Sequence, residues 1–311
     1  MCNILKDILQ NITLGDPLLY KNMAVFPIIS GELTDLNYLT LDEALEQEKI
    51  TFEEVSEAGR INCIKAINKG PEMVLILDGE ELVGAKQNRI INVSILVPGK
   101  TTLEIPVSCV ESGRWSYRGR HFRSKREHAF YRLRSDYYED IQRSLKERGE
   151  YATDQGKVWN YIRAGARAHS VHSPTMAMSD VYEHTTHSWQ EYVSSFRPIK
   201  GQTGFLVMLN GVVAGIELFG KSETLKKVFE KLMKSYAFSA MDASKPSQKY
   251  TFAKETAIEF IKAINSSEME TRPSIGLGED IRFEEKDLIG AALVFEENPL
   301  HICAFRKTIA V

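Results

Sequence analysis

Leu77-Asp78-Gly79-Glu80-Glu81-Leu82-Val83-Gly84-Ala85-Lys86-Gln87-Asn88-Arg89 and, further on, Pro106-Val107-Ser108-Cys109-Val110-Glu111-Ser112-Gly113-Arg114-Trp115 place dense polar clusters at the ends of alternating apolar segments. Between them Ile91, Val93, Ile95 and Val97 alternate with Asn92, Ser94 and Leu96. Pro98-Gly99-Lys100 turns the chain, and Leu103, Ile105, Val107 and Cys109 then alternate with Glu104, Pro106 and Ser108. Period-two alternation broken by turn residues predicts a β-meander with one buried face. Asp78-Gly79, after the apolar run 73–77, reads as a tight hairpin turn.

Working outward, residues 20–110 read mostly as β, apart from a short helix opened by the capping box Thr40-Leu41-Asp42-Glu43 and running to about Glu48. From about 120 to 200 the pattern turns helical and polar, with helices expected over 155–167 and 175–196, the second started by Ser173-Pro174. Residues 203–219 return to β around Asn210-Gly211. Ser222 caps a helix over 223–236, and Ala257, Phe260, Ile261 and Ile264 share one face of a helix over 250–264. The last forty residues look like short strands. Segments 77–84 and 209–215 resemble each other, as a duplicated hairpin or as two ordinary ones. Only 243–249 is linker-like. The expected architecture is α+β: antiparallel or mixed β-meander sheets packed with helices in one continuous unit over 1–311. Its β-rich part spans about 15–115, its helical middle 120–200 and its α+β C-terminal part 203–311.

Composition bounds the function. With 43% apolar and 26% charged residues the chain has the make-up of a globular protein. A net charge of −3 is unlike a dedicated nucleic-acid protein. Cys2, Cys63, Cys109 and Cys303 are widely spaced without a CxxC, so a reduced, cytoplasmic chain is expected, with neither a disulfide frame nor a zinc site. Ile4, Leu5, Ile8, Leu9 and Ile12 make the N-terminus a short amphipathic helix and not a signal peptide. No apolar run approaches the roughly 20 residues a membrane span needs. GxGxxG, P-loop, GxSxG and EF-hand motifs are absent.

Four constellations carry candidate chemistry. Lys86, Gln87, Asn88 and Arg89 form a donor-rich run suited to phosphates, a carboxylate or a base edge, or else a solvated loop. Glu111 ends an apolar face with Arg114 as its near partner, as a catalytic carboxylate or as a buried ion pair pinning the strand end. Trp115 offers a flat surface to a base. Cys109 continues the apolar face and reads as a buried structural cysteine. Residues 114–134 hold Arg114, Arg118, Arg120, Arg123, Arg126, Arg132, Arg134 and Lys125 against Glu127, with Tyr117, Phe122, Phe130 and Tyr131 interleaved. That is the pattern of a single-stranded nucleic-acid surface, or of a basic segment bridging to acidic patches. Asp180, His184 and His187 recur at i, i+4 and i+7 within a histidine-rich stretch from His169 to His187. Without a metal signature such as HExxH, no metal is assigned there.

The segments LDGEELVGAKQNRI (77–90), IPVSCVESGRW (105–115) and HSPTMAMSDVYE (172–183), with GVVAGIELFG (211–220), resemble the ARG and rhodanese-phosphatase-superfamily-associated protein family, over roughly residues 15–307. ARG there denotes ADP-ribosylglycohydrolase. The resemblance implies the company of ADP-ribosylglycohydrolases and phosphatase-like proteins in RNA repair or biological conflict, and so a ligand related to ADP-ribose, NAD or nucleic-acid ends. It carries over no catalytic residue and no cofactor. His169, His172, His184 and His187 lie outside its pattern.

The sequence therefore predicts a protein that binds a phosphorylated nucleotide-like ligand. Lys86, Arg89 and Arg114 would face phosphates, Gln87 and Asn88 the sugar or base, and Trp115 would stack. Glu111 or Glu81 would be the general acid/base of an enzyme. The alternatives are a non-catalytic RNA- or DNA-binding module using Arg114–Arg134, or a protein-interaction subunit of a conflict system.

Overall fold

The computed structural model describes residues 2–243 and 249–307. The linker-like segment expected at 243–249 falls, over 244–248, outside them. The chain is a single α+β unit whose backbone is a nine-stranded antiparallel sheet. At its centre the hairpin Gly204–Leu209/Val212–Phe219 lies between Met23–Ile29 on one side and Asn298–Arg306 on the other. Leu288–Phe295, Glu279–Glu284 and Met269–Pro273 continue the second side. Both faces are covered, which is why these strands read as nearly continuous apolar runs. Phe205, Val207 and Leu209 enter the larger core, and Leu206 and Met208 enter the other.

Helices Cys2–Asn11 and Lys254–Ser266 cover the second face with Leu5, Leu9, Ala257, Phe260, Ile261 and Ile264, the residues whose helical spacing marked them. Helices Tyr131–Arg148, Gln155–Ala168 and Ser222–Ala243 pack over the first. No described helix is long and apolar enough to cross a membrane.

A six-stranded sheet runs Phe122–His128, Glu80–Gly84, Arg89–Ile91, Thr101–Cys109, Cys63–Asn68, Ile50–Glu54. A bridge between Glu53 and His121 draws its outer strands together, curling it around a third core. Three short strands, Ile95–Val97, Met73–Ile76 and Tyr38–Thr40, form a separate sheet. The capping box holds at Leu41–Glu46, where the Glu43 carboxylate accepts the Thr40 backbone N–H at 2.9 Å.

Several expectations change. Asp78-Gly79 closes no hairpin: it is a corner where the chain leaves the three-stranded sheet for the six-stranded one. Asn210-Gly211 does close one, with φ of 54° and 81°, so the hairpin is not duplicated. The stretch 89–97 is cut at Asn92–Ser94 between two sheets, and Ile90 and Leu96 on its other face are buried too, so the meander has two buried faces. Residues 122–128 are strand where helix was expected, Tyr131–Arg148 is a helix within the stretch expected to be helical though not singled out there, and 175–196 breaks at Thr185 into Met178–His184 and Thr186–Ser194.

Candidate functional site

The three segments that carry the family resemblance meet. Glu111 is buried, and its carboxylate accepts Arg114 Nε at 2.9 Å and Nη2 at 2.6 Å, the Asn88 backbone N–H at 3.1 Å and the Thr175 hydroxyl at 2.7 Å. Burial works against its charge, but these hydrogen bonds, led by Arg114, hold its pKa below the ordinary range. Arg114 also donates to the carbonyls of Ala85, Ser116 and Gly84 and to Asn88 Oδ1. Every nitrogen of its guanidinium is engaged. Gln87 donates to the Glu111 carbonyl, and Asn88 Nδ2 to Ser179 Oγ at 3.3 Å. Arg89 is fully buried: Nη1 binds Gln87 Oε1 at 3.0 Å, Nη2 lies 3.7 Å from Glu54, and Nε and Nη2 have no hydrogen-bond partner. Lys86, Gln87, Asn88, Arg89, Glu111 and Arg114 are thus brought together, but largely facing one another.

This lattice supports a loop that faces outward. Trp115 and Tyr117 are 45% and 46% exposed, and the Lys86 ammonium lies 5.4 and 5.1 Å from their ring centres. Of the basic run, Arg114 and Arg134 are buried in ion pairs, Arg126 pairs with Glu46 and Lys125 with Glu183. Arg118, Arg120 and Arg123 are exposed and make no ion pair among the described residues. Beside Arg120 opens a cleft of about 680 Å³, lined by Glu53, Glu54, Glu57, Tyr117, Arg120 and His121, while Arg123 borders a second cleft of about 500 Å³ with Asp42, Glu46 and His121.

Of the paired glutamates, Glu80 is held by the buried Lys231 ammonium and by the Leu77 backbone N–H at 2.8 Å. Glu81 is fully buried, with the Glu127 carboxyl as the hydrogen-bond neighbour of its side chain. Burial and the neighbouring Glu127 carboxylate push its pKa well up. Burial raises Glu127 to about 7. The two form an acid pair within which a proton is retained near neutral pH. The sequence reading counted Glu127 only as the lone acid in a run of arginines and gave it no role in a site.

A second polar cluster lies deeper, at the Asp78 corner. Asp78 Oδ2 accepts Arg134 Nε at 3.1 Å, Nη2 at 2.9 Å and the Tyr137 hydroxyl at 3.1 Å, while Oδ1 accepts Ser94 Oγ at 2.9 Å. Ser94 Oγ also lies 2.9 Å from His301 Nδ1, and His301 Nε2 lies 2.9 Å from Glu217, which pairs in turn with Arg134. Cys303 Sγ is 3.8 Å from Asp78 Oδ1 and 2.9 Å from the Tyr138 hydroxyl, and burial beside Asp78 and Glu217 pushes its thiol pKa well up. Among the described residues, these are where metal-ligating side chains converge: Asp78, His301 and Cys303. The expected Asp180, His184 and His187 face does not form, because the helix breaks at Thr185 and His184 turns back onto the Asp180 carbonyl at 2.8 Å. Sequence reasoning missed this cluster, although His301 and Cys303 alternate on one strand face, a readable signal.

All four cysteines are free, and Cys109 is buried, its pKa raised to about 11 by burial. Comparison with curated proteins and with solved structures found no match. A family model does match, over residues 11–305, and the chain belongs to the ARG and Rhodanese-Phosphatase-superfamily-associated Protein domain family.

Proposed function

We propose that this protein binds a phosphorylated, nucleotide-like ligand, of the ADP-ribose or NAD kind, on the loop from Trp115 to Arg123 and in the cleft below it. The observation that carries the reading is the set of exposed arginines, Arg118, Arg120 and Arg123, without carboxylate partners among the described residues, beside two half-exposed aromatic rings. Guanidinium groups without partners suit phosphate oxygens, and an exposed indole suits a base. Arg114 has no donor left for a phosphate, so the role expected of it passes to these three, with Lys86 between the two rings as a further cation. Glu54 and Glu57 on the cleft wall suit ribose hydroxyls. A proton-transfer role suits Glu81 with Glu127 better than Glu111, whose oxygens are committed to four donors.

The same rim supports a second reading, a single-stranded nucleic-acid surface. Trp115 fluorescence separates them. ADP-ribose should quench it, and Arg118→Ala/Arg120→Ala/Arg123→Ala should abolish the effect while leaving the melting temperature unchanged. Binding of a short single-stranded RNA that drops roughly 20-fold between about 50 and 200 mM salt, as three phosphate contacts require, would favour the second reading. No response to either ligand would sink both.

A further inference from the structure

The deep cluster at the Asp78 corner takes no part in the rim site proposed above, yet each of its side chains is held by further buried polar groups. We propose that Asp78, His301 and Cys303 are the protein ligands of a divalent cation of the zinc class.

Three observations carry this. The first is convergence. One donor atom from each of Asp78, His301 and Cys303 lies within 4.8 Å of the other two. His301 Nδ1 is 3.7 Å and Cys303 Sγ 3.8 Å from Asp78 Oδ1. A tetrahedral ion with ligands at about 2.0–2.3 Å sets its ligand atoms roughly 3.3–3.8 Å apart. The mixture of carboxylate, imidazole and thiol donors suits zinc over calcium or magnesium, which take oxygen.

The second is the support behind each ligand. His301 presents its other ring nitrogen to Glu217 at 2.9 Å, the carboxylate–histidine arrangement that orients a metal-bound imidazole. Asp78 has its second oxygen held by Arg134 and Tyr137, while Oδ1 faces the cluster, where the Ser94 hydroxyl bridges it to His301 Nδ1 and would give way to the ion. Cys303 is held by the Tyr138 hydroxyl. Helix Tyr131–Arg148 lays Arg134, Tyr137 and Tyr138, at i, i+3 and i+4, across the strand face that carries His301 and Cys303. A plain buried ionic network gains little over an apolar core, so stability alone does not account for it.

The third is an open side. A small cavity lined by Ser94, Tyr138, Asp280, Arg282, His301 and Cys303 adjoins the cluster, with room for about one water. Arg282 is fully buried on its border, with no hydrogen-bond partner on Nη1 or Nη2 among the described residues. The fourth coordination position therefore faces a positive charge and accepts a water or a small anion. Binding converts the Cys303 thiol to a metal-bound thiolate and releases its proton to solvent; no electron is transferred.

The test uses the full chain. Protein purified from zinc-supplemented cells should hold stoichiometric zinc by mass spectrometry. After chelation and reconstitution with cobalt(II), it should show thiolate-to-cobalt charge-transfer absorption. Cys303→Ser should lose that absorption, His301→Ala should lower metal content, and Cys109→Ser, a buried thiol elsewhere, should change neither. Circular dichroism checks that each variant is folded. Folded wild-type protein that takes up no stoichiometric ion, or that binds cobalt without thiolate absorption, overturns the proposal. That wild-type spectrum decides even where a variant fails to fold.

Discussion

Glu127 holds a proton that an exposed glutamate would release. Its folded pKa of about 7 lies above the ordinary 4.5. Between those values the folded chain binds a proton the unfolded chain has lost, so this group's contribution to stability is fullest below about 4.5, falls as pH rises toward 7 and is flat beyond. The fall should amount to about 1–3 kcal/mol. Urea denaturation across pH 4.5–8 measures it, and Glu127→Gln should flatten the curve; an unchanged slope in that variant would remove the acid pair. At this scale the sequence was half informative. It marked Lys86–Arg89 and Glu111–Arg114 as places where polar groups gather for a reason. Whether their donors face a ligand or each other depends on Thr175 and Ser179, which arrive from far along the chain.

Elements were legible where their apolar spacing was undiluted. Lys254–Ser266 was readable because its buried residues are all apolar and helically spaced. Tyr131–Arg148 was not, because Arg134, Ser135, Asp140, Gln142 and Ser144 share its buried surface with the tyrosines and break the periodicity. Alternation identified strands but not sheet membership, which is why Asp78-Gly79 looked like a hairpin. What the corner needs is a residue at φ +85° with no side chain, since a Cβ there would stand 2.5 Å from the His128 ring and 3.1 Å from Arg134 Cδ. Gly79→Ala should therefore cost more than the roughly 1–3 kcal/mol of the backbone conformation alone. Gly149→Ala, at φ +71° with open space around it, should cost only the backbone part. Equal melting temperatures for the two variants would show that the corner is not tightly packed.

For the whole molecule, the α+β class followed from the alternation of strand-like and helical segments, while the closure of the six-stranded sheet by Glu53 and His121 had no local signal. The nine-stranded sheet is shared by two cores, so neither core survives loss of the other's strands. Unfolding should be one cooperative transition, with far-ultraviolet circular dichroism and tryptophan fluorescence superimposing. Trp115 reports from beside the six-stranded sheet, and Trp159 and Trp189 from the helices. Separated transitions would divide the chain into independent units.

Met23–Ile29 pairs within the nine-stranded sheet to strands from the far part of the chain: Ile28 and Thr203, which share a hydrogen bond, stand 175 residues apart. At synthesis rates of about 5–20 residues per second, the first strand leaves the ribosome roughly 10–35 s before its central partner exists. Through that interval it is an apolar strand with an open edge, the kind of segment that seeds aggregation. During synthesis, the stretch most in need of a chaperone is therefore this one, and the burden lies in the order in which the strands are made.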